Sequence, residues 1–555
     1  MLPNATPAPR PTSAAPAPDG RAARPGHPAR PGRPARTARR ALRGVGAVVV
    51  ASLLLAGCVA GRETTEVTPS GASAPPADVT ALLPPNLDDA LLGFYQQQVV
   101  WSACDGELEC ATIDVPVDWA DGAGPKASVA LKRQPAQGSA DEREGSLLIN
   151  PGGPGGSGLD FLSGALSLIS PSVQERYDVV AFDPRGVGQS TPVTCVDDAR
   201  KDELLSKDYA LGTQAGRDEY VADRTELGAA CLANTGDLLA HVDTQSAAKD
   251  MDLIRVLVGD ERLTYLGYSY GTQLGATYAG LFPAQVGRFV LDGAVDVTLD
   301  SDGSSLGQAE GFERALRAYV TDCQAGSACP LTGSVDDGLA QIKALTERAY
   351  TDPLRTSDGS RVLTRTLAFY GVAVALYADE NWPLLTQALR AAIQSNDGTS
   401  LLALADFYNS RNFDGTFSDN GTEAFAAIGC ADDRVPDDVA TMEKVRDEIL
   451  AVAPTLGESF AWGGLFCAGW PTDPVTRSYD VAAPGAAPIL VLGTTNDPAT
   501  PYEWAQALAK TLESATLVTW EGEGHTSYGR SNDCIADAVD AYLLEGTVPA
   551  EGLVC

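Results

Sequence analysis

The chain has 555 residues, 44% of them hydrophobic, and sets 40 Lys and Arg against 73 Asp and Glu for a net charge of −33. That is enough apolar material for one large core with an insertion, and it excludes both a chain disordered throughout and a single small module. So acidic a surface repels nucleic acid, and no nucleic-acid partner is expected, whereas cationic groups such as the free amino terminus of a peptide are favoured.

Residues 1–57 stand apart. They hold nine Arg and one Asp and end in an apolar run from Val45 to Gly57. A basic region, a short apolar stretch and small residues at its end make an export signal, and the stretch is too short to span a bilayer comfortably. The run closes L-A-G before Cys58, the form of a bacterial lipoprotein cleavage box. Cys58 is therefore the candidate lipidated first residue of an exported chain, anchored to the outer face of the cell membrane, with shedding to the medium as a variant of that reading. Arg39-Arg40 is compatible with twin-arginine export. Residues 58–86, rich in Thr, Ser, Pro, Ala and Gly, read as a flexible tether.

Setting Cys58 aside leaves Cys104, Cys110, Cys195, Cys231, Cys323, Cys329, Cys430, Cys467, Cys534 and Cys555. An even set in an exported chain suits disulfides. Pairing neighbours in sequence closes only local loops and is the preferred arrangement, although spacing does not establish connectivity.

Residues 87–295 read as the first part of an α/β core. Strands are expected at 111–117, 129–131 and 146–149. Directly after Leu147-Leu148-Ile149 comes N-P-G-G-P-G-G-S-G, residues 150–158. A Gly-rich loop after a strand invites a phosphate cradle. However, G-x-x-x-x-G-K-[ST] is absent and two prolines remove amide donors, so no nucleotide or other cofactor is expected. A buried strand at 177–182 leads into D-P-R-G-V-G-Q-S, where an Asp-x-Arg-Gly turn can brace the Gly-rich loop. Residues 191–242 form an acidic, mostly helical excursion, and 244–258 an amphipathic helix.

The chain then reaches L-T-Y-L-G-Y-S-Y-G-T-Q-L-G-A-T-Y-A, residues 263–279. An apolar run before Ser269 and a helix-compatible segment after it place G-x-S-x-G at a strand-to-helix turn, the nucleophile elbow of an α/β-hydrolase. A further strand is expected at 286–291. Over 296–483 the strand rhythm stops and helical patterns take over (311–322, 334–350, 363–378, 384–395, 437–452), which reads as a helical cap. The core resumes over 484–555 with strands at 488–492 and 515–520.

Those two late strands lead to Asp497 and His525. The order Ser269, Asp497, His525 is that of an α/β-hydrolase triad, and in that fold the oxyanion amides come from the strand-end Gly loop and from the residue after the nucleophile, here Gly153 and Tyr270. The only other histidines are His27 in the leader and His241 at a polar helix end. No H-E-x-x-H occurs and the cysteines suit disulfides, so no metal site is expected. The fold class expected is thus an α/β-hydrolase with a mostly parallel central sheet and a helical cap.

Several longer motifs strengthen this reading: F-Y-x-Q-x-x-x-W-x-x-C from Phe94, the Gly-rich loop, D-P-R-G-x-G-x-S, G-Y-S-Y-G-T-x-L-G-x-x-Y-A, F-P-x-x-V-x-R-x-V-L-D-G from Phe282, and H-x-x-Y from His525. In these the chain resembles the tripeptidyl aminopeptidases of actinobacteria, serine α/β-hydrolases related to proline iminopeptidases. The resemblance implies release of short peptides from free amino termini, with Ser269, Asp497 and His525 as the triad. An exopeptidase also needs a counter-charge for the substrate ammonium, and the acidic pair Asp432 and Asp433 is the candidate. The rival readings are a carboxylesterase or lipase of the same fold and a binding module that keeps only the scaffold.

Overall fold

Six strands are apolar along almost their whole length, and strands of that kind must be covered on both faces. They are β4 (Gly145–Asn150), β5 (Tyr177–Phe182), β6 (Leu263–Tyr268), β7 (Val286–Asp292), β10 (Ile489–Asn496) and, less completely, β11 (Ala515–Glu523). The others are β1 (Ser102–Ala103), β2 (Glu109–Pro116), β3 (Lys126–Gln134) and β12 (Leu553–Val554), with a separate hairpin of β8 (Leu354–Arg355) and β9 (Val362–Leu363). In the computed structural model the described residues are 79–84, 87–357, 359–434 and 438–555, all within one unit, Ser73–Cys555. The export segment, Cys58 and most of the tether lie outside them.

The main sheet has ten strands in the order β1-β2-β3-β5-β4-β6-β7-β10-β11-β12. Pairings from β1 through β3 to β5 are antiparallel, and every later one is parallel. One face packs Met251, Leu253, Tyr265, Tyr278 and Phe289, and the other packs Leu147, Leu162, Tyr177, Leu266, Ile535 and Tyr542. This is an α/β-hydrolase architecture.

Between β7 and β10 the described residues form seven helices: Ser301–Ala325, Val335–Thr351, Arg365–Leu376, Trp382–Ser395, Thr399–Tyr408, Gly421–Asp432 and Val439–Val452. Phe312, Leu316, Tyr319, Leu345, Leu367 and Leu389 give this insertion a core of its own. The helix Gly421–Asp432 does not share it. Its Ala424, Ala427, Ile428 and Ala431 pack into the main core beside the sheet. Small side chains leave no polar stripe on this helix, which is why the 3.6-residue pattern does not announce it.

Five disulfides join Cys104 to Cys110, Cys195 to Cys231, Cys323 to Cys329, Cys430 to Cys467 and Cys534 to Cys555. Each links neighbours in sequence. No helix among the described residues is long and apolar enough to cross a membrane.

Candidate active site

The site is assembled where β4, β6, β7, β10 and β11 end. Strand β6 stops at Tyr268 and the helix Tyr270–Leu281 starts at the residue after Ser269, which is forced to φ 56° and ψ −126°. A non-glycine residue held there costs of order 1–3 kcal/mol, and the cost is offset by the packing around it. The Ser269 N–H donates to the Asp292 carbonyl at 2.9 Å, and the Thr272 hydroxyl donates to Ser269 O at 2.6 Å.

The loop after β4 lies directly on this elbow. Gly152 has φ +92°, and a Cβ there would stand 2.9 Å from Ser269 Cβ, 2.9 Å from Tyr270 N and 2.5 Å from Tyr268 O. Only glycine fits such an approach. The Gly152 amide is occupied by Asn150 Oδ1 at 2.9 Å. Those of Gly153 and Tyr270 have no acceptor among the described residues.

Asp183 braces the far end of the loop. Its carboxylate accepts from the Ser157 hydroxyl at 2.7 Å, Leu159 N at 3.1 Å and Gln189 N at 2.7 Å. Burial raises its pKa while these bonds oppose the rise. Arg185 of the same turn does not reach the loop. It is fully buried, bonded twice to Asp250 at 2.7 and 2.6 Å and to the carbonyls of Pro116, Val117 and His241. The brace is the aspartate, and the arginine locks the turn to the helix Thr244–Val258.

His525 sits beyond β11, its Nδ1 at 2.9 Å from both carboxylate oxygens of Asp497. Asp497 is buried and also accepts from Ala499 N, Thr500 N and the Thr500 hydroxyl at 2.9, 2.8 and 3.0 Å. A carboxylate so supplied with donors is held in place and fixes the Nδ1–H tautomer. The remaining nitrogen, Nε2, is buried and unpartnered among the described residues.

One functional residue was not singled out from the sequence. Asp292, at the end of β7, accepts from Ser527 N at 3.0 and 2.9 Å, the Ser527 hydroxyl at 3.1 Å and Tyr528 N at 2.8 Å. Its main chain holds Ser269 and its side chain holds the histidine loop, so it sets the two halves of the site against each other. Complete burial raises its pKa against those bonds. The D-G closing F-P-x-x-V-x-R-x-V-L-D-G was the available signal: a carboxylate at a strand end one strand from the elbow.

The acidic pair proposed as an ammonium anchor is already engaged. Asp432 Oδ1 accepts from Thr244 N at 2.7 Å, its Oδ2 from the Thr244 hydroxyl, and Thr244 Oγ1 in turn lies 2.6 Å from the Tyr270 hydroxyl. Asp433 Oδ2 accepts from Ser301 N and Oγ at 2.9 and 2.8 Å. Each carboxylate thus tethers a helix start, as an N-terminal capping group does. Asp432 belongs to the elbow's support through Tyr270, not to a free acidic surface.

The arrangement suits nucleophilic acyl transfer. Such chemistry would use His525 Nε2 as base for the Ser269 hydroxyl, Asp497 to hold the tautomer and steady the imidazolium, and the Gly153 and Tyr270 amides as oxyanion donors.

Residues 453–555 match the family described as TAP-like protein. Serine protease Hip1 of Mycobacterium tuberculosis (strain ATCC 25618 / H37Rv) is 37% identical over 483 residues, covering 83% of this chain and 91% of that protein. Carboxylesterase B of the same strain is 38% identical over 452 residues, 80% of this chain and 86% of that protein. The tripeptidyl aminopeptidase of Streptomyces lividans is 31% identical over 470 residues, 82% of this chain and 86% of that protein. Matched along most of its length by such relatives, and built on this sheet and elbow, the chain belongs to the tripeptidyl-aminopeptidase-like family of serine α/β-hydrolases.

Proposed function

We propose that the protein is a serine exopeptidase that releases short peptides, tripeptides foremost, from free amino termini. The observation that carries this is the helical insertion closing onto the base. Tyr377, between two insertion helices, sets its ring edge-on to His525 at 5.4 Å and its carbonyl on the His525 amide at 2.8 Å. A site covered this closely suits the end of a chain rather than its middle. One relative is named a tripeptidyl aminopeptidase, which points the same way, and another a serine protease, which speaks for a peptidase without specifying an exopeptidase.

The catalytic cycle follows from the groups in place. Ser269 Oγ attacks the acyl carbonyl as His525 takes its proton, the tetrahedral oxyanion rests on the Gly153 and Tyr270 amides, and His525 returns the proton to the departing amine. Water then repeats the sequence on the acyl-enzyme and releases the short peptide. Hydrolysis of a tripeptide anilide with a free amino terminus, but not of its acetylated counterpart, is expected. Equal turnover of the two, with faster cleavage of a short acyl ester, would favour the second reading, a carboxylesterase, for which the relative named Carboxylesterase B speaks.

For location, the reading is export and anchoring through lipid on Cys58. Five disulfides support an oxidising compartment. Stable anchoring takes at least two acyl chains, which a diacylated Cys58 provides. Cys58→Ser should leave the chain unprocessed or release it from membranes with its hydrolase activity intact; a variant that still sediments fully processed with membranes would refute the anchor.

A further inference from the structure

The loop that carries His525 is held from two bodies. From the sheet it is held by Asp497 and Asp292. From the insertion it is held through its main chain, as His525 N–H donates to Tyr377 O at 2.8 Å, while His525 O accepts from Nη1 of Arg530, five residues further along the same loop, at 2.7 Å. The same nitrogen of Arg530 donates to Tyr377 O at 3.0 Å. One guanidinium therefore ties together two carbonyls, one on the histidine loop and one on the insertion. Its Nη2 lies 3.4 Å from Glu380 and 3.7 Å from Asp379, both in the short turn Asp379–Asn381 that follows Tyr377.

This junction has no slack. Gly524 has φ +94°, and a Cβ there would stand 2.7 Å from both Arg530 Nη1 and Tyr377 O. Tyr377 is fixed to the insertion, because the helix Arg365–Leu376 before it buries Leu367, Val372 and Leu376 in the insertion's own core. An insertion displaced from the sheet would strip His525 N–H of its acceptor and Arg530 of three of its four hydrogen-bonding or ionic partners at once, leaving the loop held from the sheet alone, through Asp497 and Asp292.

We propose that Arg530 is a positioning residue that makes the alignment of His525 depend on the insertion being seated. The base is then competent under a closed roof and slack under an open one. This inference rests on the reading of Ser269 and His525 as nucleophile and base, and it adds a part to that machinery that lies outside the triad. Arginine suits the task because its planar fork serves two carbonyls and a carboxylate simultaneously, which a lysine ammonium cannot do in the same geometry.

The test uses the full chain with Arg530→Ala, Arg530→Lys and the double variant Asp379→Asn/Glu380→Gln. Three quantities are read: kcat and KM for a small neutral p-nitrophenyl ester, the rate at which a fluorophosphonate labels Ser269, and the melting temperature. A misplaced base costs up to about 100-fold. Arg530→Ala should accordingly lower kcat and the labelling rate together by about 30- to 100-fold, with KM unchanged. Arg530→Lys should recover only part of that loss, and added guanidinium ion should restore part of the activity of the alanine variant. The double variant, which keeps Arg530 but cuts its outer ties, should lose kcat several-fold. An alanine variant that melts like the wild type and keeps its kcat and labelling rate overturns the proposal, as does a loss carried by KM alone. Should Arg530→Ala fail to fold, an unchanged kcat in the double variant refutes the link to the insertion. Ser269→Ala run alongside separates the two ideas: its activity would sink the catalytic reading itself.

Discussion

Replacing Asp432 with Asn tests what this half-buried acid does. It sits at the end of the helix Gly421–Asp432, takes both the N–H and the hydroxyl of Thr244, and so lies one hydroxyl away from Tyr270. Burial, with Asp243 and Asp433 nearby, pushes its pKa up from 3.8 to about 7, against the lowering effect of the Thr244 bonds. A rise of about 3 pH units corresponds to about 4 kcal/mol of linkage. Because the folded pKa lies above the unfolded one, the native state holds a proton that the unfolded chain has already released. The favourable term is complete below about pH 4 and is lost as pH climbs to about 7. Asparagine does not titrate, so the stability of the variant relative to wild type should improve by up to about 4 kcal/mol across that window, after a constant offset for the altered bonds. Urea melts of both proteins at several pH values from 4 to 8.5 give the difference directly, since every other titrating group is shared. Parallel curves would refute the reasoning. The same variant decides the substrate question: with its oxygens on Thr244, Asp432 should leave the KM ratio of free and acetylated peptides unchanged, and a rise confined to free peptides would make it the ammonium anchor after all.

Ser269→Ala should abolish hydrolysis with the fold intact, since nucleophile and base act as a unit; residual turnover above about 1% of wild type in pure variant would count against it. Gly152→Ala puts a Cβ 2.9 Å from Tyr270 N at φ +92°; kcat should fall by at least the roughly 3 kcal/mol of one oxyanion donor, and a near-normal rate would show that the loop is not part of the hole. Asp292→Asn leaves some of the three donors on that carboxylate (Ser527 N–H, Ser527 O–H and Tyr528 N–H) unmet. It should cost about 1–3 kcal/mol of stability per unmet group, visible in melts, and slow the labelling of Ser269; unchanged labelling would confine it to a structural role. Asp497→Asn should drop kcat by about 10⁴ with little change in KM through loss of the right tautomer, and a merely tenfold effect would point to Asp292 as the operative acid.

What could be read from the sequence follows from how local each signal is. The elbow declares itself because a strand, a serine between glycines and a helix occupy consecutive residues, and the strands Tyr177–Phe182 and Leu263–Tyr268 show as unbroken apolar runs because both faces are buried. Asp497 and His525 were placed by chain order and by the strands before them, and the structure brings them to 2.9 Å. Asp292 shows only as a strand-end D-G, and Tyr377 and Arg530 give no signal, because what they do depends on contacts between segments far apart in sequence. A carboxylate's partners cannot be counted from its neighbours in the chain: Asp432 reads as a loop acid beside Cys430, yet it caps Thr244 across 188 residues.

The helix Gly421–Asp432 shows why such an insertion is more than a lid. At its start Asn420 Nδ2 donates to the carbonyls of Gly186 and Val193, and its Oδ1 accepts from Gly188 N, all in the turn that carries Asp183. Along its side a Cβ on Gly155 of the Gly-rich loop would stand 2.6 Å from Gly421 O and 3.0 Å from Phe425 N. At its end Asp432 reaches Thr244 and through it Tyr270. One helix thus touches the supports of both proposed oxyanion donors, the loop of Gly153 and the elbow of Tyr270. It carries Cys430, bonded to Cys467, on the same stretch. Preorganised donors act only if they need not move when charge develops. A helix of small residues pressed between the two donor segments supplies that rigidity, and its alanines leave room for the main chains to meet where a larger side chain would hold them apart.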